Sequence, residues 1–284
     1  MKFCMAALGK FGGRELGFAS DIELMLIYEG DGKTDGLKSL TTPEFYDKLV
    51  YELKQLIAAK REGIFEIDLR LRPYGNAGRM AVALSEFRSY FSPDGPAWNY
   101  ERQALVKLRP IWQDVAKANF AEKVMAARDQ CLFVKGAFDV AAMRAIREKQ
   151  IRQLVAGGTV NAKYSPGGLV DVEYLVQGLQ ILNGVSETKV RHPNTGKAMK
   201  RLMTFGFLDE EDYRFLKKAH IFLRTLIDAL RMVRGNAKDL TVPPADTKAF
   251  TFLARRMNIS EALLQAELQQ HTVWLREAVG RLLG

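Results

Sequence analysis

Cysteine is nearly absent. Cys4 and Cys131 are the only two in 284 residues. They build no disulfide framework and show no metal-ligand spacing, which points to a reducing cytoplasm. The three histidines, His192, His220 and His271, are scattered without ligand spacing and read as structural residues. No uncharged stretch approaches the roughly 20 residues a bilayer span needs. The basic, briefly apolar opening "MKFCMAALGKFGG" is cut by Lys10 too early for a secretory signal. Long runs of like charge, internal repeats and low-complexity tracts are missing as well. What these absences leave is a soluble, cytoplasmic, globular chain with no membrane partner.

What is present is ordinary in amount and uneven in placement. A hydrophobic content of 48% and a charged content of 26% suit a globular protein, and the length suffices for two modest cores. Up to Asp114 the chain carries 16 Lys plus Arg against 16 Asp plus Glu; beyond it the counts are 26 and 17, so the whole net charge of +9 lies in the second part. A basic surface there suits nucleic acid or an acidic protein patch, and solvated helix faces explain it equally well. No aromatic RNA-binding motif accompanies the charge, so nucleic acid is not an expected partner.

The first part mixes strand and helix signals. "KFCMAALG" and "IELMLIY" are strand-length apolar runs joined by a glycine-bearing turn, and "GIFEIDLRLR" is a third run with period-2 character. The polar loop "GDGKTDG" leads into "TTPEFYDKLVYELKQLIAAK", where Thr42 is placed to cap a helix and Pro43 suits its first turn. Phe45, Leu49, Leu53, Leu56 and Ile57 form the apolar stripe of that helix. "GPAWNYERQALVKLR" predicts another short amphipathic helix, with Glu101, Leu105 and Leu108 along one side. Beyond about residue 115 the strand signals fade, and five segments starting near residues 138, 169, 195, 209 and 261 carry helical spacing. The expected architecture is α+β: a mixed sheet with flanking helices over residues 1–114, then an all-α helical bundle over 115–284.

Within "GGRELGFASDIELMLIY" two carboxylates, Asp21 and Glu23, interrupt an apolar strand one residue apart. Strand alternation puts them on one face. Like charges sharing a face repel, and each is costly to bury without a cation between them. A solvated acidic face satisfies that pattern. So does a divalent metal, because Mg²⁺ takes hard carboxylate oxygens and keeps positions open for phosphate. Asp68 is set into the third strand run in the same way, and alternation places Asp68, Arg70 and Arg72 on one face. If that strand lies beside the first pair, three carboxylates converge with two guanidinium groups nearby. Two ions on shared carboxylates, about 3.5–4 Å apart, activate the attacking oxygen and steady the leaving group of a phosphoryl-type transfer. Arginines alongside grip triphosphate oxygens. Glycines at 12 and 13 let backbone N–H groups approach phosphates closely. Taken singly, a salt-bridged sheet surface and an ordinary turn account for the same residues.

Together and in this order, these residues resemble the nucleotidyltransferase superfamily of DNA polymerase β type, whose signature is a glycine-bearing turn, a spacer, two acids flanking a hydrophobic position, and a third acid on a later strand. The blocks "LGKFGGRELGFASDIELMLIY", "DLRLRPYGNAG", "AWNYERQALVKLR" and "KYSPGGLVDVEYLVQGLQ" resemble, in sequence and order, those of the glutamine synthetase adenylyltransferase (glutamate–ammonia ligase adenylyltransferase) family, over roughly residues 5 to 235. The resemblance implies one nucleotidyltransferase unit with its helical domain. It implies ATP as substrate, two Mg²⁺ ions, and glutamine synthetase as the partner whose tyrosine gains AMP or loses it by phosphorolysis. It further implies a small nitrogen-signalling regulatory protein as a second partner. By position, Asp21, Glu23 and Asp68 become the metal-binding catalytic carboxylates, and Gly12, Gly13 and Ser20 the phosphate-binding turn. Arg70, Arg72, Lys107, Arg109 and Glu173 become nucleotide or substrate contacts. The family usually has Asp where this chain has Glu23.

Other residues read as structure. Asp171 sits where a helix starts, and the helix dipole is reason enough for an acid there. Trp98, Trp112 and Trp274 read as core or domain-contact residues. The readings left open are an adenylyltransferase unit, a uridylyltransferase for a small signalling protein, a catalytically silent nucleotide- or partner-binding domain of the same fold, and a basic RNA-binding module. The carboxylates do not set the direction of transfer, because attachment and removal of AMP use the same chemistry.

Overall fold

The first two apolar runs become β1 (Lys2–Ala7) and β2 (Ile22–Glu29), paired antiparallel from Lys2–Glu29 to Ala7–Leu24. This is seen in a computed structural model, which describes residues 2–57, 66–114, 119–136, 138–235 and 238–283. From Leu24 to Tyr28 every residue of β2 is buried, so the strand reads as a continuous apolar run instead of an alternating one. Leu24, Leu26 and Tyr28 pack with Phe3 and with Tyr46 and Val50 of α2 (Thr42–Leu56). Tyr46 stacks on Phe3 at 4.9 Å and on Tyr28 at 4.8 Å. Contacts of this kind are worth about 0.5–1.5 kcal/mol beyond the area they bury.

Those stacked rings fix how α2 is rotated. Tyr46 and Val50 are buried and Leu53 packs on the same cluster, while Phe45, Leu49, Leu56 and Ile57 are exposed. The apolar stripe expected from sequence is therefore turned by about one residue from the face that meets the sheet. The cap is also shifted: Thr41, not Thr42, precedes the helix, and its N–H and Oγ1 both donate to Glu44 Oε2, at 2.8 and 2.7 Å.

The third run yields only a short strand, β3 (Ile67–Asp68), parallel to β2 with Ile22 beside Ile67 and Glu23 beside Asp68. Residues 63–65 of that run lie outside the described residues. Two further strands were not anticipated: β4 (Ala81–Ala83), parallel to β2, and β5 (Arg109–Gln113), antiparallel to β1. The sheet runs β3-β2-β1-β5, with β4 also against β2. Pro110 sits in β5, on the edge of that order and next to a register shift, where a missing N–H is tolerated.

Helices α1 (Gly9–Gly12), α3 (Leu84–Phe91), α4 (Asn99–Ala104) and α5 (Phe120–Leu132) complete this unit. Glu101 caps α4, accepting from the Trp98 N–H at 2.8 Å and the Tyr90 hydroxyl at 3.1 Å; it is buried, as are Leu105 and Leu108, although the helix ends at Ala104, before both leucines. Trp98 and Trp112 are instead exposed, at 68% and 51%.

The chain divides into Met1–Leu16 with Ser20–Ala137, and Phe138–Gly284 with Gly17–Ala19. The boundary expected at 114/115 marks where strand signals end, and residues 115–118 lie outside the described ones. Helix α5 belongs with the first unit because it packs on α3, β1 and β5.

The second unit is built from α6 (Val140–Leu154), α7 (Leu169–Gly184), α8 (Thr195–Thr204), α9 (Glu210–Arg234), α10 (Lys248–Arg256) and α11 (Glu261–Leu282). All but α10 match helices read from the sequence. Leu216, Ala219, Leu223, Leu226, Ile227 and Leu230 form the buried stripe of α9. Asp209 caps that helix by accepting from the Asp212 N–H, and Arg281 grips Asp212 with two bonds of 2.8 and 2.6 Å. His271 pairs with Glu267 at 2.8 Å, a structural role; burial lowers its pKa and Glu267 opposes the shift.

Candidate active site

Two of the three candidate acids are neighbours in the sheet, and the third stands just before β2. Glu23 and Asp68 are register partners on parallel neighbouring strands, and Asp21 stands one residue before β2, exposed to solvent. The intervening residue is tied to the neighbouring strand: the Ile22 N–H donates to the Glu66 carbonyl at 2.8 Å. Parallel pairing puts the Glu23 and Asp68 positions side by side, the adjacency that strand alternation alone left conditional.

Arg70 is the cation among them. Its Nε donates to Asp68 Oδ1 and Oδ2 at 3.0 Å each, its Nη2 to Oδ2 at 2.5 Å, and its backbone N–H to Oδ1 at 2.8 Å. Burial pushes the Asp68 carboxyl up, and the side-chain and backbone bonds from Arg70 more than offset it, leaving the group below the usual carboxylate range. Arg70 is itself held more firmly protonated, first by the Asp68 hydrogen bonds and at longer range by Asp21 and Glu23. One guanidinium thus feels all three acids.

Glu23 has a distinct seat. Gly9, at φ +48°, lies so close that an added Cβ would come within 1.2 Å of Glu23 Oε2. The backbone closes the same corner, with the Leu8 N–H donating to the Glu23 carbonyl at 2.9 Å. Gly9 was not singled out by sequence reasoning. The signal available was a third glycine three residues before the Gly12-Gly13 pair.

The chemistry of the acids suits Mg²⁺, since all are hard oxygen donors. Their placement does not yet suit it. Among the described residues, no group of three or more His, Cys, Asp or Glu side chains is set to hold a metal. Arg70 occupies both oxygens of Asp68, and the Glu23 carboxylate lies over Gly9.

The remaining candidates separate into distinct roles. Gly12 and Gly13 are buried, and their N–H groups are spent inside the turn, on the Leu8 and Gly9 carbonyls at 2.6 and 3.0 Å. Glycine is needed at 12 because a Cβ there would lie 2.0 Å from the Lys107 carbonyl oxygen. The expectation that these amides point at phosphate is corrected accordingly. Lys107 is not a surface contact either: it is buried and paired with Glu15 at 2.7 Å, with both side chains 5% exposed. Arg109 donates to the Gly12 and Phe11 carbonyls at 2.8 and 3.0 Å, so it pins the turn after β1. Burial lowers the Arg109 pKa, and Arg14 adds to the shift.

Arg72 does not share a face with Arg70. The chain leaves the strand after Asp68, so alternation stops: Arg70 is exposed, while Arg72 is buried and donates to the Leu69 carbonyl. Ser20, next to Asp21, is buried. Glu173 lies half-buried on α7 in the second unit. Its neighbour Asp171 is buried in the first turn of α7, accepting from Arg147 Nε at 2.5 Å and from the Gly167 N–H at 2.6 Å, a structural role.

Comparison with known proteins gives two adjoining matches. The family model for glutamate–ammonia ligase adenylyltransferase matches residues 1–123, and that for GlnD PII-uridylyltransferase matches residues 141–284. The chain is similar to proteins described as bifunctional glutamine synthetase adenylyltransferase/adenylyl-removing enzyme. One, from Xanthomonas oryzae pv. oryzae, is 35% identical over 244 residues, covering 84% of this chain and 25% of the relative. One from Caulobacter vibrioides is 32% identical over 86% of this chain and 25% of the relative. One from Bordetella pertussis is 30% identical over 96% of this chain and 30% of the relative. The chain therefore spans about a quarter of the length of the curated relatives it matches. No helix among the described residues is long and apolar enough to cross a membrane.

Proposed function

The chain belongs to the glutamate–ammonia ligase adenylyltransferase family, and from that premise we propose that its first unit is a nucleotidyltransferase of DNA polymerase β type. It moves an adenylyl group between ATP and a tyrosine of glutamine synthetase, in one direction or the other. The observation that carries the reading is the pairing of Glu23 with Asp68 on parallel strands, with Asp21 just before β2 and Arg70 bonded to Asp68. The signature calls for these two strands to be neighbours, and β2 pairs with β3 in parallel, which supports the reading.

Asp21, Glu23 and Asp68 are the proposed catalytic carboxylates; an Mg²⁺ ion, if they held one, would supply charge neutralisation for the triphosphate and activation of the attacking oxygen. Arg70, exposed and bonded to Asp68, is the proposed phosphate contact. Lys107, Arg109, Gly12 and Gly13 hold the turn on which Glu23 rests, and Arg72 braces the chain after β3. A silent nucleotide- or partner-binding domain is the second reading, favoured by the Arg70 clamp and by the lack of a metal-ready cluster among the described residues.

The test is transfer of label from ATP carrying radioactive α-phosphate to purified glutamine synthetase with Mg²⁺, run alongside phosphorolysis of adenylylated glutamine synthetase. Label moving in either assay supports an enzyme. No movement in either, together with intact ATP binding, favours the silent domain.

A further inference from the structure

We propose that the cavity formed by α6, α7 and α11 of the second unit binds a small monocarboxylate, with Arg147 and the Tyr174 hydroxyl taking the carboxylate and apolar side chains taking its alkyl body. The cavity has a volume of about 160 Å³. That is below the roughly 300–1,000 Å³ of sites for drug-sized ligands. A nucleotide is too large for it, and an acid of a few carbons fits. The site lies wholly within the second unit and does not require adenylyl transfer by the first.

The polar part of the lining is built but incompletely used. Arg147 lines the cavity and is 8% exposed. Its Nε donates to Asp171 Oδ1 at 2.5 Å and its Nη2 to the Ser165 carbonyl at 2.9 Å. Its Nη1 is buried without a hydrogen-bond partner among the described residues. A buried guanidinium donor left unpaired is costly, and a carboxylate oxygen is the acceptor that binds it most strongly. Tyr174 also lines the cavity. Its oxygen accepts from Gln150 Nε2 at 3.0 Å, which leaves the phenol proton to be donated. Burial pushes the Tyr174 pKa up, with Gln150 and Arg147 opposing the rise, so the hydroxyl keeps that proton at neutral pH.

The rest of the lining selects among anions. Met143 and Leu175 are buried and Val279 is half-buried, a surface for a short alkyl chain. Arg144 and Arg147 are matched by Glu148 and Asp171, so the formal charges around the cavity cancel. Arg144 is exposed and already donates to the Leu283 carbonyl at 3.1 Å. A dianion such as phosphate therefore meets two carboxylates without a surplus of cations. A neutral alcohol offers Nη1 a weaker acceptor. One carboxylate on a short chain satisfies both constraints.

The experiment titrates the 284-residue chain with butyrate, butan-1-ol and inorganic phosphate, following the two organic probes by saturation-transfer difference NMR and phosphate by calorimetry. Butyrate is expected to bind with a Kd of about 1 mM, within reach of so small a ligand. Butan-1-ol and phosphate should bind at least about tenfold more weakly, the worth of a hydrogen bond to a charged group. Removing Arg147 would break the buried pair with Asp171, so the variants spare it. Val279→Phe fills the cavity and should abolish butyrate binding, and Tyr174→Phe should weaken it about three- to tenfold by removing one donor. Urea unfolding checks that each variant is folded; if Val279→Phe is not, Tyr174→Phe decides. No butyrate signal with the wild type overturns the proposal, as does butan-1-ol binding equally well, which would show an apolar hollow only. Butyrate binding unchanged in the folded variants overturns it too, by placing the ligand elsewhere.

Discussion

Replacing Gly9 by alanine tests the seat of Glu23. Two penalties follow from the geometry. At φ +48° an L side chain is strained, by about 1–2 kcal/mol. The new Cβ would also lie 1.2 Å from Glu23 Oε2, a contact that must be relieved. The atom in the way ends a flexible side chain, so Glu23 moves and the backbone does not. An off-rotamer or displaced side chain costs about 0.5–1.5 kcal/mol. Gly9→Ala should therefore destabilise the wild type by about 2–3 kcal/mol, and a Glu23→Ala background by only the backbone share, about 1–2 kcal/mol. Urea unfolding of the four proteins measures the difference, about 1 kcal/mol of coupling. In the adenylyl-transfer assay Gly9→Ala should fall toward the level of Glu23→Ala, because the carboxylate has been moved. Equal destabilisation in both backgrounds, or full activity in Gly9→Ala, would refute the reasoning.

Lys107→Ala should destabilise by about 3–5 kcal/mol, since it removes one member of a buried ion pair, and replacing both by Met and Leu should recover most of that in urea melts; selective loss of ATP binding with unchanged stability would restore Lys107 as a substrate contact. The Asp68 pKa lies below its ordinary value, so its stabilisation is fully present above the unfolded-state pKa and is lost as pH falls through the folded one. Asp68→Asn should accordingly lower stability in the neutral region and converge on the wild type at acid pH, which flattens the acid limb of a stability–pH curve. At position 23, Glu23→Asp is expected to preserve or raise transfer and Glu23→Gln to depress it; a harmless Glu23→Gln would place that residue outside the site.

Local chemistry was legible in the sequence, and long-range pairing was not. The helices of the second unit were readable because apolar periodicity is a local signal, as in the stripe of α9. The acids of β2 stood out because charge inside an apolar run is costly, and Asp68 was found by the same logic. Alternation failed at Arg72 because it assumes an extended strand, and β3 ends at Asp68. Lys107 looked like a ligand contact because its partner, Glu15, lies 92 residues away. No single-sequence pattern links such a pair. The rotation of α2 hinged on Tyr46 stacking with Phe3 and Tyr28, again a contact between distant segments. Strand β5 was hidden by its proline, which argues against a central strand and is acceptable on an edge. Gly9 escaped notice because its role depends on what lies over it.

The central claim is that the cluster at the start of β2 performs adenylyl transfer, and Asp21→Asn tests it most directly. Asp21 is exposed and precedes the strand, so its loss should leave the fold intact and relieve repulsion with the neighbouring acids. The measurement is the initial rate of AMP transfer to or from glutamine synthetase, for wild type and Asp21→Asn, with urea unfolding of both as the control. The account predicts an active wild type and a rate at background for Asp21→Asn, at equal or greater stability. Near-normal turnover in Asp21→Asn would contradict it.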